Sequence, residues 1–88
     1  MICKLCRVTG HVQGVFYRAS TQQQANELKV TGYAMNRTDK SVEVLACGKE
    51  DDVTALCNWL HEGPAYARVE KVVCADHELM SLAHFDTK

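Results

Sequence analysis

The sequence has no long apolar run, almost no net charge and a single proline. No apolar segment approaches the roughly 18 residues that a membrane-spanning helix needs, and Lys4 and Arg7 lie where the apolar stretch of a signal peptide would be. Ten basic and eleven acidic residues give a net charge of −1, which lacks the basic excess of a general nucleic-acid binder. We therefore expect a soluble cytoplasmic protein that binds neither membranes nor nucleic acids.

What the sequence does contain is typical of one globular domain. The hydrophobic content of 47% and the charged content of 24% exclude a disordered or fibrous chain. With no linker-like tract, the 88 residues are expected to form a single domain spanning residues 1–88. Five cysteines are too few for a disulfide-rich scaffold, so we expect reduced thiols that are mostly buried as small apolar residues.

The spacing of apolar residues predicts the element order β-α-β-β-α-β. Strands are predicted at residues 2–9, 33–36, 41–47 and 68–75, with a short fifth strand around Phe85. Helices are predicted at about 18–30 and between Gly48 and Gly63, and Gly32 is interpreted as the stop of the first helix. This order is typical of the ferredoxin-like α+β fold, a split β-α-β-β-α-β sandwich whose mostly antiparallel sheet carries two helices on one face.

This topology brings two distant segments of the chain together. A right-handed crossover makes the first two strands parallel, and the third strand then lies antiparallel between them. The loop that follows the first strand and the end of the second strand, at Asn36, therefore meet at one edge of the sheet. We expect any functional site to lie there.

Residues 10–18 have the chemistry of an anion site. A loop between a strand and a helix can turn main-chain N–H groups toward a phosphate, next to the positive end of the helix dipole. Gly14 permits a positive φ, and the guanidinium of Arg18 can donate to two phosphate oxygens. The segment is neither a Walker loop nor a dinucleotide-binding loop. On these residues alone, a glycine-shaped turn beside a solvated arginine is an equally good interpretation.

Two longer motifs decide between these interpretations. Residues 10–18 match G-x-V-Q-G-V-x-[FY]-R at every fixed position. A second motif, G-[FYW]-A-x-N-x-x-x-G-x-V-x-x-x-x-x-G, is matched by Gly32, Tyr33, Ala34, Asn36, Val42 and Gly48, and departs only at Lys40, where glycine is expected. On these motifs the sequence resembles the acylphosphatase family over nearly its whole length.

The resemblance implies hydrolysis of acyl phosphates to a carboxylate and inorganic phosphate without a metal. We expect no cofactor, and of the oligomeric states left open we prefer a monomer. It implies that Arg18 binds the phosphoryl group and that Asn36 orients the attacking water. The implied phosphate-binding loop comprises His11, Val12, Gln13, Gly14, Val15, Phe16, Tyr17 and Arg18. The carboxylate leaving group has a conjugate acid with a pKa near ~4, so no general acid is needed, and positioning and electrostatics are sufficient in kind. Because Asn36 is not a base at neutral pH, we expect a phosphate oxygen of the substrate to accept the proton of the water.

Other interpretations remain open at this point. A non-catalytic phosphate-binding or regulatory module would use the same loop, although it would have no need of Asn36. An RNA-binding sheet would carry aromatic residues on its open strands, which this chain does not supply. His11 occupies a variable position of the motif and is not expected to be catalytic. Acetyl phosphate, carbamoyl phosphate and the acyl phosphates of glycolysis or of proteins are all compatible substrates.

Lys40 stands where the motif has glycine, in the turn between the second and third strands. We expect a positive φ there, which costs a side-chain-bearing residue about 1–2 kcal/mol. The expected consequence is a modest loss of stability, and a weak attraction for anionic substrates is the less favoured alternative.

The cysteines suggest one pairing. Cys3 and Cys6 form a C-x-x-C motif, but residues three apart in a strand face opposite sides of the sheet, so no metal site is expected. Antiparallel pairing of the first and third strands instead brings Cys3 beside Cys47, on the face away from the helices. A disulfide there would close a loop of about 45 residues. Without a secretory signal, two free thiols are the favoured expectation.

Overall fold

A computed structural model describes all residues, 1–88, and shows the predicted ferredoxin-like α+β fold. Its elements are β1 (Ile2–His11), α1 (Tyr17–Glu27), β2 (Thr31–Asn36), β3 (Val42–Gly48), α2 (Glu50–Leu60), β4 (Arg68–His77) and β5 (Phe85–Thr87). The strand order is β4-β1-β3-β2-β5. The β1–β3, β1–β4 and β2–β3 pairs are antiparallel, and β5 adds a parallel pair with β2. As predicted, β3 lies between β1 and β2, so the loop after β1 and the end of β2 share one edge of the sheet.

The core lies between one face of the sheet and the two helices. Alternate residues of β3, including Val42 and Val44, are fully buried there. The second helix contributes Val53, Leu56 and Leu60 at helical spacing. Burial of each such side chain stabilises the protein by about 1.5–3 kcal/mol. The side chains of β3 and α2 therefore contribute a large part of the core's stability. Neither helix is long and apolar enough to cross a membrane.

The end of α1 differs from the prediction. The helix ends at Glu27 rather than near residue 30, and Lys29, with a φ of 59°, takes the left-handed conformation at its end. Gly32 lies inside β2 with a φ of 142°. A Cβ atom on Gly32 would lie 1.8 Å from the carbonyl oxygen of Leu45. The close approach of β2 to β3, not a helix stop, therefore requires this glycine.

The strand registers pair four of the five cysteines. Cys3 lies opposite Cys47, as predicted, and Cys6 lies opposite Cys74. Both pairs form disulfides, with S–S distances of 2.06 Å and 1.97 Å, so the expectation of free thiols is wrong for these four residues in the structure. The physical reason is the register, which places each pair directly opposite across an antiparallel ladder. Only Cys57 is free.

The two disulfides lie on opposite faces of the sheet. Cys6 belongs to the main core beneath the helices. Cys3 and Cys47 form a small cluster with Leu45 on the other face. The two cysteines of the C-x-x-C motif therefore point away from each other, as their spacing in a strand predicts.

The turn between β2 and β3 is closed by its own hydrogen bonds. The N–H of Arg37 donates to the carbonyl of Ser41 at 2.9 Å, and the N–H of Lys40 donates to the carbonyl of Arg37 at 3.1 Å. The carboxylate of Asp39 accepts bonds from the hydroxyl and the N–H of Ser41 and pairs with Arg7 at 2.5 Å. The bonds from Ser41, and then the pair with Arg7, lower the pKa of Asp39 to about 2. Lys40 has a φ of 73°, the left-handed conformation expected where the motif has glycine.

We predict that Lys40→Gly stabilises the protein. Glycine relieves about 1–2 kcal/mol of backbone strain and costs about 0.5–1 kcal/mol in unfolded-chain entropy. The expected net gain is a fraction of 1 kcal/mol, which raises Tm by a few degrees for a domain of this size. Thr38→Gly, in the same turn but without a positive φ, is the matched control and should lower Tm. Equal losses for both variants in thermal unfolding would contradict the prediction.

Candidate active site

The loop between β1 and α1 presents a row of main-chain N–H groups without protein partners. The N–H groups of residues 13–18 donate to no protein acceptor, and the first bond in this region runs from Ser20 N–H to the carbonyl of Phe16, at 2.9 Å. Gly14 and Phe16 both have positive φ values, 75° and 63°. Phe16 directly precedes α1, whose N-terminus carries a partial positive charge. Such a group of amides is suited to a phosphate-sized anion.

Two side chains of the loop point inward and anchor it. Val12 and Tyr17 are each only 1% exposed. The hydroxyl of Tyr17 donates to the carbonyl of Leu60 at 2.7 Å, which ties the start of α1 to the end of α2. Burial raises the pKa of Tyr17 well above its usual range. Because these side chains are held in the core, the residues between them can expose their main chain.

Gln13 connects the loop to the turn between β2 and β3. Its side-chain amide donates to the carbonyls of Arg37 and Ser41, both at 2.9 Å. The sequence motif includes this glutamine but does not indicate which groups its side chain contacts. The structure shows that it joins the two segments that the topology brings to one edge.

Arg18 lies at the same edge and contacts the end of the chain described. Its guanidinium donates to the main-chain oxygen of Lys88 at 2.8 Å, and the N–H of Lys88 donates to the carbonyl of Ala34 in β2 at 2.9 Å. Asn36 is two residues beyond Ala34 and is exposed, with no side-chain hydrogen bond to the protein. Lys88, the residue after β5, therefore bridges Arg18 and the strand that carries Asn36; the sequence did not single it out.

A cavity of about 280 Å³ opens beside the loop. Gly14, Phe16 and Arg18 line it together with Thr87. Asn36 is not among its lining residues. It is the last residue of β2, two residues beyond Ala34, which pairs with Thr87 of β5. His11 is also outside the lining; it is the last residue of β1, opposite Arg68 in β4. The arrangement provides amide and guanidinium donors around a small volume.

Comparison with known proteins identifies the sequence relatives of this chain. The family model described as Acylphosphatase matches residues 4–87. An acylphosphatase from Halorhodospira halophila is 58% identical over 69 residues, which are 78% of this chain and 75% of that protein.

Two solved structures share the fold along their lengths. An acylphosphatase from Coxiella burnetii superposes with a TM-score of 0.95 at 37% identity, covering 99% of this chain and 92% of the other. An acylphosphatase from Bacillus subtilis gives a TM-score of 0.96 at 28% identity, covering 100% and 99% of the two chains.

We predict that Gln13→Ala weakens the binding of inorganic phosphate. The variant loses both bonds to the turn, at about 1 kcal/mol each, and the amides of the loop must then be ordered by the ligand itself. The expected loss in affinity is about tenfold, measured by isothermal titration calorimetry. Gln22→Ala is the matched control, because the Gln22 amide also donates to a carbonyl, that of Phe85 at 2.7 Å, outside the loop. A Gln13→Ala variant that binds phosphate as tightly as the unaltered chain would contradict the prediction.

Proposed function

This chain belongs to the acylphosphatase family and hydrolyses acyl phosphates, and from that premise we propose how it does so: the 11–18 loop and Arg18 bind the phosphoryl group, and Asn36 orients the attacking water. The observation that carries the proposal is the run of unpartnered N–H groups at residues 13–18 beside the guanidinium of Arg18. No metal or other cofactor takes part in the proposed mechanism.

The loop and Arg18 stabilise the charge that spreads over the phosphoryl oxygens. Phosphoryl transfer passes through a loose transition state, in which fixed donors around the equatorial oxygens contribute most of the catalysis. Main-chain N–H groups held by buried neighbours need no reorganisation when the charge develops. The guanidinium of Arg18 adds two donors in one plane and a full positive charge.

Asn36 orients the water on the opposite side of the phosphorus from the leaving carboxylate. Its side-chain amide offers both a carbonyl acceptor and N–H donors, and no protein group competes for them. Because an amide cannot take a proton at neutral pH, the proton of the water passes to an oxygen of the phosphoryl group. The bond from phosphorus to the acyl oxygen breaks without a general acid, since the leaving carboxylate is a weak base.

All parts of the proposed site come from one chain. Hydrogen bonds within that chain join the loop to the turn between β2 and β3, Arg18 to Lys88, and Lys88 to β2, the strand that ends at Asn36. We therefore propose a monomer as the active form. We also propose the cytoplasm as its location, because acyl phosphates are reactive anhydrides that are best hydrolysed where phosphoryl transfer makes them.

We predict that Arg18→Ala lowers kcat/KM for benzoyl phosphate by about 10³-fold or more, and that Asn36→Ala lowers kcat by about 10²–10³-fold. Arg18→Ala should also weaken phosphate binding, whereas Asn36→Ala should leave it nearly unchanged. The matched controls are Lys71→Ala and Asn58→Ala, both at exposed positions outside the site. If Asn36→Ala hydrolysed benzoyl phosphate at the full rate, the proposed role of Asn36 would be refuted. The family assignment would be unaffected by that result.

We further predict that His11 does not control the rate. The logarithm of kcat for benzoyl phosphate should show no limb with a pKa near ~6–7 that His11→Ala removes, because the substrate itself accepts the proton. The measurement is the pH–rate profile of the unaltered chain and of His11→Ala between about pH 5 and 9. A limb that is lost in His11→Ala would assign the proton to His11 and contradict the proposed mechanism.

A further inference from the structure

A third cysteine lies against the disulfide beneath the helices. Cys57 is on α2, and its sulfur is 3.6 Å from the sulfur of Cys6. The sulfurs of Cys6, Cys57 and Cys74 all lie within 4.8 Å of one another. These three residues, here called the sulfur triangle, belong to β1, α2 and β4, and none of them is part of the 11–18 loop.

The shape of the sulfur triangle argues against disulfide exchange as its role. In disulfide exchange the attacking sulfur lies in line with the bond that it breaks. Because the Cys57 sulfur is 3.6 Å from that of Cys6 and a disulfide bond is about 2 Å long, an in-line arrangement would place it about 5.6 Å from the sulfur of Cys74. The sulfur of Cys57 is no more than 4.8 Å from it. Cys57 therefore lies beside the disulfide bond and not behind it, in the position of a third corner.

We propose that the sulfur triangle binds one Cu(I) ion when the Cys6–Cys74 disulfide is reduced. Thiolates are soft ligands that select soft metal ions such as Cu(I). Three thiolates bound at about 2.3 Å in one plane lie about 4 Å apart. The sulfur of Cys57 is 3.6 Å from that of Cys6 and within 4.8 Å of that of Cys74, so only the Cys6 and Cys74 sulfurs, bonded in the disulfide, have to separate after reduction. No fourth histidine, cysteine or carboxylate joins the cluster. Zn²⁺ in structural sites takes four ligands, whereas Cu(I) is satisfied by three.

The surroundings of the sulfur triangle suit a metal ion. Cys6 is fully buried, while Cys57 and Cys74 are partly exposed on α2 and on the edge strand β4, which leaves a route of entry. Burial raises the pKa of the Cys57 thiol, and the ammonium group of Lys4 opposes that effect. The metal replaces the thiol protons when it binds.

Binding is coupled to the redox state of Cys6 and Cys74. A dithiol reductant transfers two electrons and two protons to the disulfide, giving two thiols, and is itself converted to a disulfide. The three thiols of the reduced chain then lose their protons to solvent as they bind Cu(I). Thiol–disulfide exchange with a disulfide oxidant re-forms the Cys6–Cys74 bond while the oxidant is reduced to two thiols. This removes two of the three ligands and releases the ion.

The test uses the full chain with Cys3→Ser and Cys47→Ser, which leaves only the three cysteines of the sulfur triangle. The chain is reduced with dithiothreitol, freed of it under anaerobic conditions and titrated with Cu(I) against a chromophoric Cu(I) chelator. We expect one Cu(I) per chain. Adding Cys57→Ser should lower the affinity at least tenfold, and the oxidised chain should not bind at this site. Hydrolysis of benzoyl phosphate verifies that each variant is folded.

X-ray absorption on the reduced, unsubstituted chain with one equivalent of Cu(I) provides a second readout that does not depend on the variants. Three sulfur neighbours support the sulfur triangle, and two contradict it. Unchanged affinity in Cys57→Ser, absence of Cu(I) binding, or Zn²⁺ binding more tightly than Cu(I) would each overturn the proposal. These outcomes are independent of the acyl phosphate site, since the hydrolytic rate reports on that site separately.

Discussion

One constraint underlies the proposed site: the loop after β1 buries its side chains at both ends and leaves the N–H groups between them without protein partners. Val12 and Tyr17 hold the loop to the core, and Gln13 holds it to the neighbouring turn. The left-handed conformation of Phe16 costs about 1–2 kcal/mol, and such strain persists only where the surrounding structure over-determines it. The buried hydrogen bond of Tyr17 next to Phe16 supplies part of that support.

The rest of the fold can be understood as the means of bringing other groups to this loop. The crossover from β1 to β2 places Asn36 at the edge of the sheet where the loop begins. The parallel pairing of β5 with β2 carries the chain past Ala34, so that Lys88 meets Arg18. The proposed site has its donors fixed before the substrate arrives, which is what a reaction catalysed mainly by positioning requires.

Much of this arrangement could be predicted from the sequence. The element order follows from apolar periodicity, and the positive φ of Lys40 follows from its place in a motif that has glycine there. The prediction for Gly32 is wrong because a glycine before a strand is typical both of a helix end and of a place where two strands lie unusually close together. The contacts of Gln13 and the Cys6–Cys74 pairing span 24 to 68 residues of sequence. They depend on strand register and on the path of the loop, which local pattern does not specify.

The most direct measurement is a titration of the ¹⁵N-labelled chain with inorganic phosphate, followed by NMR. The account predicts that the largest changes occur in the amide resonances of residues 13–18, and that they saturate together with a single affinity. Amides of α2 and β4 should hardly move. Phosphate that shifted resonances elsewhere while those of residues 13–18 stayed in place would contradict the claim that these N–H groups hold the phosphoryl group.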